Sequence, residues 1–182
     1  MAMRGRDKWR ELLAMRDFDT VVETGTYRAA NTIVMSDVFK EVHSIDMSET
    51  LHKEALVKCA EIDNITLHYG NSAKVIPTLQ FDYPVYYFLD AHWCRTKPAV
   101  TTKGTFPLWE ELDFIAQRPH SDVIIVDDVH AFENNSVRAR KDNSRYNADW
   151  NGVNKETILA AVERHKPVIK SFEFHDTFVM HV

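Results

Sequence analysis

The chain has 182 residues, 45% of them apolar and 27% charged, with a formal net charge of −5. That length suits a single globular domain, 1–182, whose core needs no disulfide support. The acidic balance argues against nucleic-acid binding, and Cys59 and Cys94 are too few for a disulfide framework, so they read as free thiols in a reducing compartment. The opening "MAMRGRDKWRELL" is charged and has no apolar signal region, and no apolar run is long enough to span a bilayer. A cytoplasmic protein without membrane contact is the expectation.

Short apolar strands alternate with helical segments along the chain. "FDTVVE" (18–23) reads as the first strand, and "AANTIVMSDVFK" (29–40) as a helix with Ile33, Val34, Val38 and Phe39 toward the sheet. "EVHSID" (41–46) is a second strand. Ser48 is a suitable N-cap for the amphipathic helix 48–62. "NITLHYG" (64–70) is a third strand, "SAKVIPTL" (72–79) a short helix bent or ended by Pro77, and "PVYYFLD" (84–90) a fourth strand. Pro107 opens a helix over 107–118 with Leu108, Leu112 and Ile115 on one face. "SDVIIVDDVH" (121–130) contains a fifth strand of β-branched residues, and 154–166 is a further helix. "PVIKSFEF" and "TFVMHV", split by His175-Asp176, form a closing hairpin. The alternation predicts an α/β fold: one Rossmann-like sheet of seven strands, mostly parallel with an antiparallel C-terminal hairpin, and helices on both faces. Residues 94–106 and 133–152 fit no regular element. Loops of that length are functional lids or disordered.

The first five strands end in Glu23, Asp46, Gly70-Asn71, Asp90 and Asp127-Asp128. In a parallel sheet those ends share one rim, where ligands bind. A lone acid after a strand is an ordinary helix cap. Five polar or acidic endings on one rim point to a site. The first turn, "VVETGTYRAANT", carries a single glycine, Gly25, and an acid, so it lacks the G-x-G-x-x-G pattern of a pyrophosphate loop. Asp46 at the second strand end can accept both ribose hydroxyls of a nucleoside. A nucleoside joined to a positive group satisfies both features, and S-adenosylmethionine is such a sulfonium nucleoside.

These segments resemble the class I S-adenosylmethionine-dependent methyltransferases, over nearly the whole chain. "VVETGT" is similar to that family's first motif, "SID" to its ribose-binding acid, and "HYGNSAKVIP" to the motif that approaches adenine. The resemblance implies cofactor contacts from Glu23, Gly25, Thr26, Tyr27, Asp46, Asn71, Ser72 and Asp90. The chain departs from the family at Ala29, often glycine, and at Asn71, usually aspartate. "FLDAHW" with the Asp-Asp of strand five resembles the divalent-metal O-methyltransferases of the catechol and macrolide-sugar type. That resemblance implies Asp90, Asp127 and Asp128 as metal ligands, with Mg²⁺ as the ion that suits an oxygen-rich set. Asp90 and His92 are the catalytic candidates. His130, Lys97 and Lys103 are further residues that could take the acceptor's proton.

The expected activity is methyl transfer from S-adenosylmethionine to a hydroxyl of a small molecule or sugar, Mg²⁺-assisted. The oligomeric state is open, and a homo-oligomer is compatible with the sequence. Tyr27, Phe88 and Trp93 flank the site, although core packing explains Phe88 more simply. Arg138, Arg140, Lys141 and Arg145 make the second long loop either a solvated segment or a lid that attracts an anionic acceptor. Two alternatives stand beside this reading. One is a cofactor-binding domain without transfer activity. The other is a metal-dependent hydrolase using Asp90, His92, Asp127 and Asp128, which leaves Glu23 and Asp46 without a task.

Overall fold

The computed structural model describes residues 6–91, 107–130 and 152–182. Its elements are α1 (Arg6–Leu13), β1 (Thr20–Thr24), α2 (Ala30–Ser36), β2 (Glu41–Asp46), α3 (Glu49–Lys58), β3 (Ile65–Tyr69), α4 (Ser72–Val75), β4 (Tyr86–Leu89), α5 (Leu108–Gln117), β5 (Val123–Asp127), α6 (Lys155–Glu163), β6 (Lys170–Phe174) and β7 (Thr177–His181). A 3₁₀ turn, Ile76–Thr78, continues α4 and carries Pro77. The strands form one seven-stranded sheet in the order β3-β2-β1-β4-β5-β7-β6. β1 to β5 pair in parallel, while β7 is antiparallel to both β5 and β6. The expected mostly parallel sheet with its closing hairpin is therefore observed.

The pleat explains why the central strands are apolar throughout. Val21, Tyr86, Phe88, Val123, Ile125 and Val179 face one core with Trp9, Leu12 and Met35 of the first two helices. Their alternating neighbours Val22, Tyr87, Leu89, Ile124, Val126 and Met180 face a second core with Leu112 and Ile115 of α5 and Ile158 and Val162 of α6. Helices on both faces follow from two buried faces.

The helices differ from expectation in two places. α1 was not read from the sequence, because Trp9 and Leu12, its buried residues, stand among charged neighbours. α2 is shorter than 29–40, and its buried residues are Thr32 and Met35. Phe39 is buried just beyond it, while Ile33, Val34 and Val38 are only partly covered. The rotation follows from the entry: Ala29 has φ 61, in the left-handed region, and Thr32 turns inward to donate to Glu23. At the strand end remote from the rim, Arg118 donates to Asp122 Oδ2 at 2.9 Å and to the carbonyls of Phe81 and Tyr83. Asp122 Oδ1 in turn accepts the Val85 amide at 2.9 Å. This buried pair aligns the starts of β4 and β5, and through them their far ends.

Candidate functional site

Glu23 follows the buried run of β1 and is 1% exposed. Its carboxyl is held by inward donors: Asn31 Nδ2 at 2.9 Å on Oε1, and the Thr32 and Ser44 hydroxyls at 2.5 Å each on Oε2. Since Ser44 spends its proton on Glu23, Thr26 donates to Ser44, at 2.6 Å. Asn31 also accepts the Trp9 indole N–H at 3.0 Å, which ties α1 to the same network. Burial raises the Glu23 carboxyl to about 7; the three hydrogen bonds oppose that rise and the charge of Asp90 adds to it.

The turn after β1 is packed against the end of β4. Gly25 has φ +88, and a Cβ there would stand 2.4 Å from the Asp90 carbonyl oxygen. The amides of Gly25 and Thr26 both donate to the Ile45 carbonyl, at 2.8 and 3.2 Å. Tyr27 and Ala29 are also left-handed, with φ 48 and 61. Ala29 therefore adopts the backbone that glycine takes more readily, at the position where the resemblance expects glycine. Asp46 receives the far side of this turn. Its Oδ2 accepts the Tyr27 amide and its Oδ1 the Ser48 amide, each at 2.7 Å. Burial raises the Asp46 carboxyl, against those two bonds.

Along the same rim, Asn71 caps α4 by accepting the Ala73 amide at 3.0 Å. Ser72 is buried beside Glu111, a residue that reading the sequence missed. Glu111 is 1% exposed in the first turn of α5. Its carboxyl lies by the hydroxyls of Ser72 and Thr24, and its Oε1 has no hydrogen-bond partner among the described residues. Burial raises it to about 7. The signal was present, because Glu111 falls on the apolar stripe of Leu108, Leu112 and Ile115.

Asp90 links the parts. Its amide donates to the Thr24 carbonyl at 3.1 Å, and its charge raises the carboxyls of Glu23, Glu111 and Asp127 alike. Asp127 is pushed well above the ordinary carboxylate range, first by burial and then by Asp90. It accepts the Asp128 amide, and the Lys8 ammonium stands 3.9 Å away. Asp128 has φ 59. The structure thus brings Glu23, Gly25, Thr26, Tyr27 and Asp46 into one corner, sets Asn71 and Ser72 at the next strand end, and places Asp90 between that corner and Asp127. Thr26 is buried with its hydroxyl committed to Ser44. Phe88 is core, edge-on to Trp9 with centroids 5.0 Å apart. His130 pairs with Asp176, and its side chain is 76% exposed. His92, Trp93, Lys97, Lys103 and the four cationic residues Arg138, Arg140, Lys141 and Arg145 lie outside the described residues.

Glu23 and Glu111 reach about 7 in the fold, above their ordinary value of 4.5, so the folded chain holds more protons than the unfolded chain between those limits. Stability therefore falls as pH rises through that window. Two partly buried histidines, His68 and His181, are lowered and act in the opposite sense, but only below about 6.5. From about pH 6.5 to 8.5 the raised acids remain, and a loss of roughly 1 kcal/mol per glutamate is expected, with Asp127, raised still further, adding to it. Urea unfolding across that range checks it. Glu111→Gln should flatten the slope, and a flat wild-type profile would contradict it.

Among the described residues, no group of three or more His, Cys, Asp or Glu side chains could hold a metal ion. The acids expected to bind Mg²⁺ are differently engaged: Asp127 is paired with an ammonium and Asp128 sits on a left-handed turn. No helix among the described residues is long and apolar enough to cross a membrane.

The Rossmann-like fold, with the sheet order and strand directions given above, is shared with solved methyltransferase structures. No protein-family model matches the sequence, and no curated protein matches it. Solved structures do. The chain is similar to the O-methyltransferase TomG of Streptomyces achromogenes, solved with S-adenosylmethionine, at 14% identity and TM-score 0.56, over 98% of this chain and 80% of that one. It is similar to an O-methyltransferase of Bacillus cereus in complex with SAH (S-adenosylhomocysteine) at 15% identity and TM-score 0.57, over 98% and 81%. It is also similar to the glycopeptide N-methyltransferase MtfA, complexed with sinefungin, at 13% identity and TM-score 0.57, over 98% and 86%.

Proposed function

We propose that the chain binds S-adenosylmethionine on the rim of β1, β2, β3 and β4 and transfers its methyl group to a hydroxyl of a small molecule or sugar. The observation that carries this reading is the corner in which Asp46 grips the Gly25–Ala29 turn through the Tyr27 amide. Each Asp46 oxygen accepts one amide and keeps a second lone pair, so both remain able to accept a ribose hydroxyl. Gly25 lets the backbone approach a ligand closely, and Glu23 acts from below by holding the turn to α2 and β2. Asn71 and Ser72 stand where an adenine ring would be received. The Glu23 and Glu111 carboxyls are raised first by burial and in part by the charge of Asp90, and a cationic ligand on the rim would offset that repulsion.

S-adenosylmethionine supplies a methyl group on a sulfonium already activated toward in-line attack. The protein's part is positioning. Asp90, central in the acidic group, holds negative charge near the transfer region, and His92 is the candidate to take the acceptor's proton. The similar structures include both O- and N-methyltransferases, so the hydroxyl acceptor rests on the resemblance of "FLDAHW" and the Asp-Asp of strand five to O-methyltransferases. The described donors do not fit Mg²⁺.

Calorimetric titration with S-adenosylhomocysteine tests the reading. The wild-type chain should bind, and Asp46→Asn, with one accepting oxygen in place of two, should bind about tenfold more weakly. Absence of wild-type binding would overturn the proposal. Binding without transfer from labelled S-adenosylmethionine to any hydroxyl acceptor tried would favour the non-catalytic alternative.

A further inference from the structure

We infer that the ammonium of Lys8, delivered by α1, is the built-in cation of the acidic rim and stands beside Asp127 where a divalent ion would otherwise bind. The inference goes beyond the proposed function by naming a resident cation at the β5 end of the rim, and its test does not depend on that function.

α1 is fixed at the adjacent residue. Trp9 is buried and edge-on to Phe88, and its indole donates to Asn31, which donates to Glu23. The helix that carries Lys8 is thus locked to the first strand end. From there the Lys8 ammonium stands over the Trp9 and Phe88 rings, with Nζ 5.7 and 5.4 Å from their centroids. It ends 3.9 Å from Asp127 Oδ1, and the side chain is only 17% exposed. A lysine at a helix surface ordinarily keeps its head in water, and holding it in one conformation costs side-chain entropy. Here the aromatic faces and the carboxylate offset that cost.

The same placement opposes a metal. An ion bound to Asp127 would stand within a few ångströms of the ammonium, and like charges that close repel strongly in a partly buried site. Asp127, Asp90 and Asp128 were read from the sequence as a divalent site because they are the acids that end β4 and β5. The cation that answers Asp127 comes from α1, near the start of the chain.

Titration of the full chain with Mn²⁺, followed by the electron paramagnetic resonance signal of the free ion, tests this. Lys8→Met keeps an unbranched side chain of similar length and removes the charge, whereas Lys8→Arg keeps the charge. The wild type and Lys8→Arg should bind Mn²⁺ weakly, and Lys8→Met should bind it roughly a hundredfold more tightly. Adding Asp127→Asn to Lys8→Met should abolish the gain. Tight Mn²⁺ binding by the wild type, or no gain in Lys8→Met, would overturn the inference. Should Lys8→Met not fold, Lys8→Gln takes its place, and the wild-type titration still decides whether the ion displaces the lysine. Failure of the methyltransferase reading would appear separately, as no binding of S-adenosylhomocysteine by the wild type.

Discussion

Gly25→Ala is expected to abolish binding of S-adenosylhomocysteine and to lower unfolding stability by about 3 kcal/mol or more. Two causes act together. Gly25 has φ +88, a backbone that side-chain-bearing residues rarely adopt, and its added Cβ would meet the Asp90 carbonyl oxygen at 2.4 Å. The Asp90 carbonyl carbon and the Ala91 Cα are next, at 2.9 and 3.3 Å. All three contacts are backbone, so no side chain can swing aside. Relief requires the turn to lift away from β4, which would pull the Gly25 and Thr26 amides off the Ile45 carbonyl and the Tyr27 amide off Asp46. The Asp46 corner and the turn would fail together. Urea unfolding and calorimetry on one preparation check both effects. Normal binding by the alanine variant would show that this turn does not form the cofactor site.

Glu23→Ala is expected to cost about 3–5 kcal/mol. Removing the carboxyl leaves the Asn31 amide and the Thr32 and Ser44 hydroxyls without their acceptor in a buried space. It also releases the link from Asn31 to Trp9, and with it the seat of α1. Glu23→Gln separates shape from charge. The hydroxyls can turn to meet an amide, and a carboxyl raised to about 7 is already partly protonated at neutral pH. Glutamine should therefore cost under about 1.5 kcal/mol. A folded Glu23→Gln chain that loses S-adenosylhomocysteine binding would mean that the charge of Glu23 serves the ligand directly. An alanine variant as stable as the wild type would contradict the network.

The strands were legible because a parallel sheet covered on both faces writes uninterrupted apolar runs, such as Val123–Val126, and because each run stops at a polar residue where the rim begins. The closing hairpin was legible from the break at His175-Asp176. What escaped had a weak local signal or none. α1 hides its buried Trp9 and Leu12 among charged residues, and the face of α2 is set by a left-handed entry that no periodicity records. Glu111 lies within an apolar stripe, where the apolar residues around it drew the reading and the acid was not singled out. Thr26 was read as a ligand contact, but its hydroxyl is committed to Ser44 within the fold. The Lys8–Asp127 pair joins residues far apart in the chain, so it becomes visible only once the sheet order brings β5 under α1. The acids after the strands announced a need for positive charge. Which cation meets it is a tertiary fact.

A crystal structure of the chain with S-adenosylhomocysteine bound tests the central claim most directly. The nucleoside should lie over the Gly25–Ala29 turn, with its ribose hydroxyls on Asp46, its adenine by Asn71 and Ser72, and its sulfur toward Asp90. A ligand bound away from the C-terminal ends of β1 and β2, or a ribose that makes no contact with Asp46, would contradict the account.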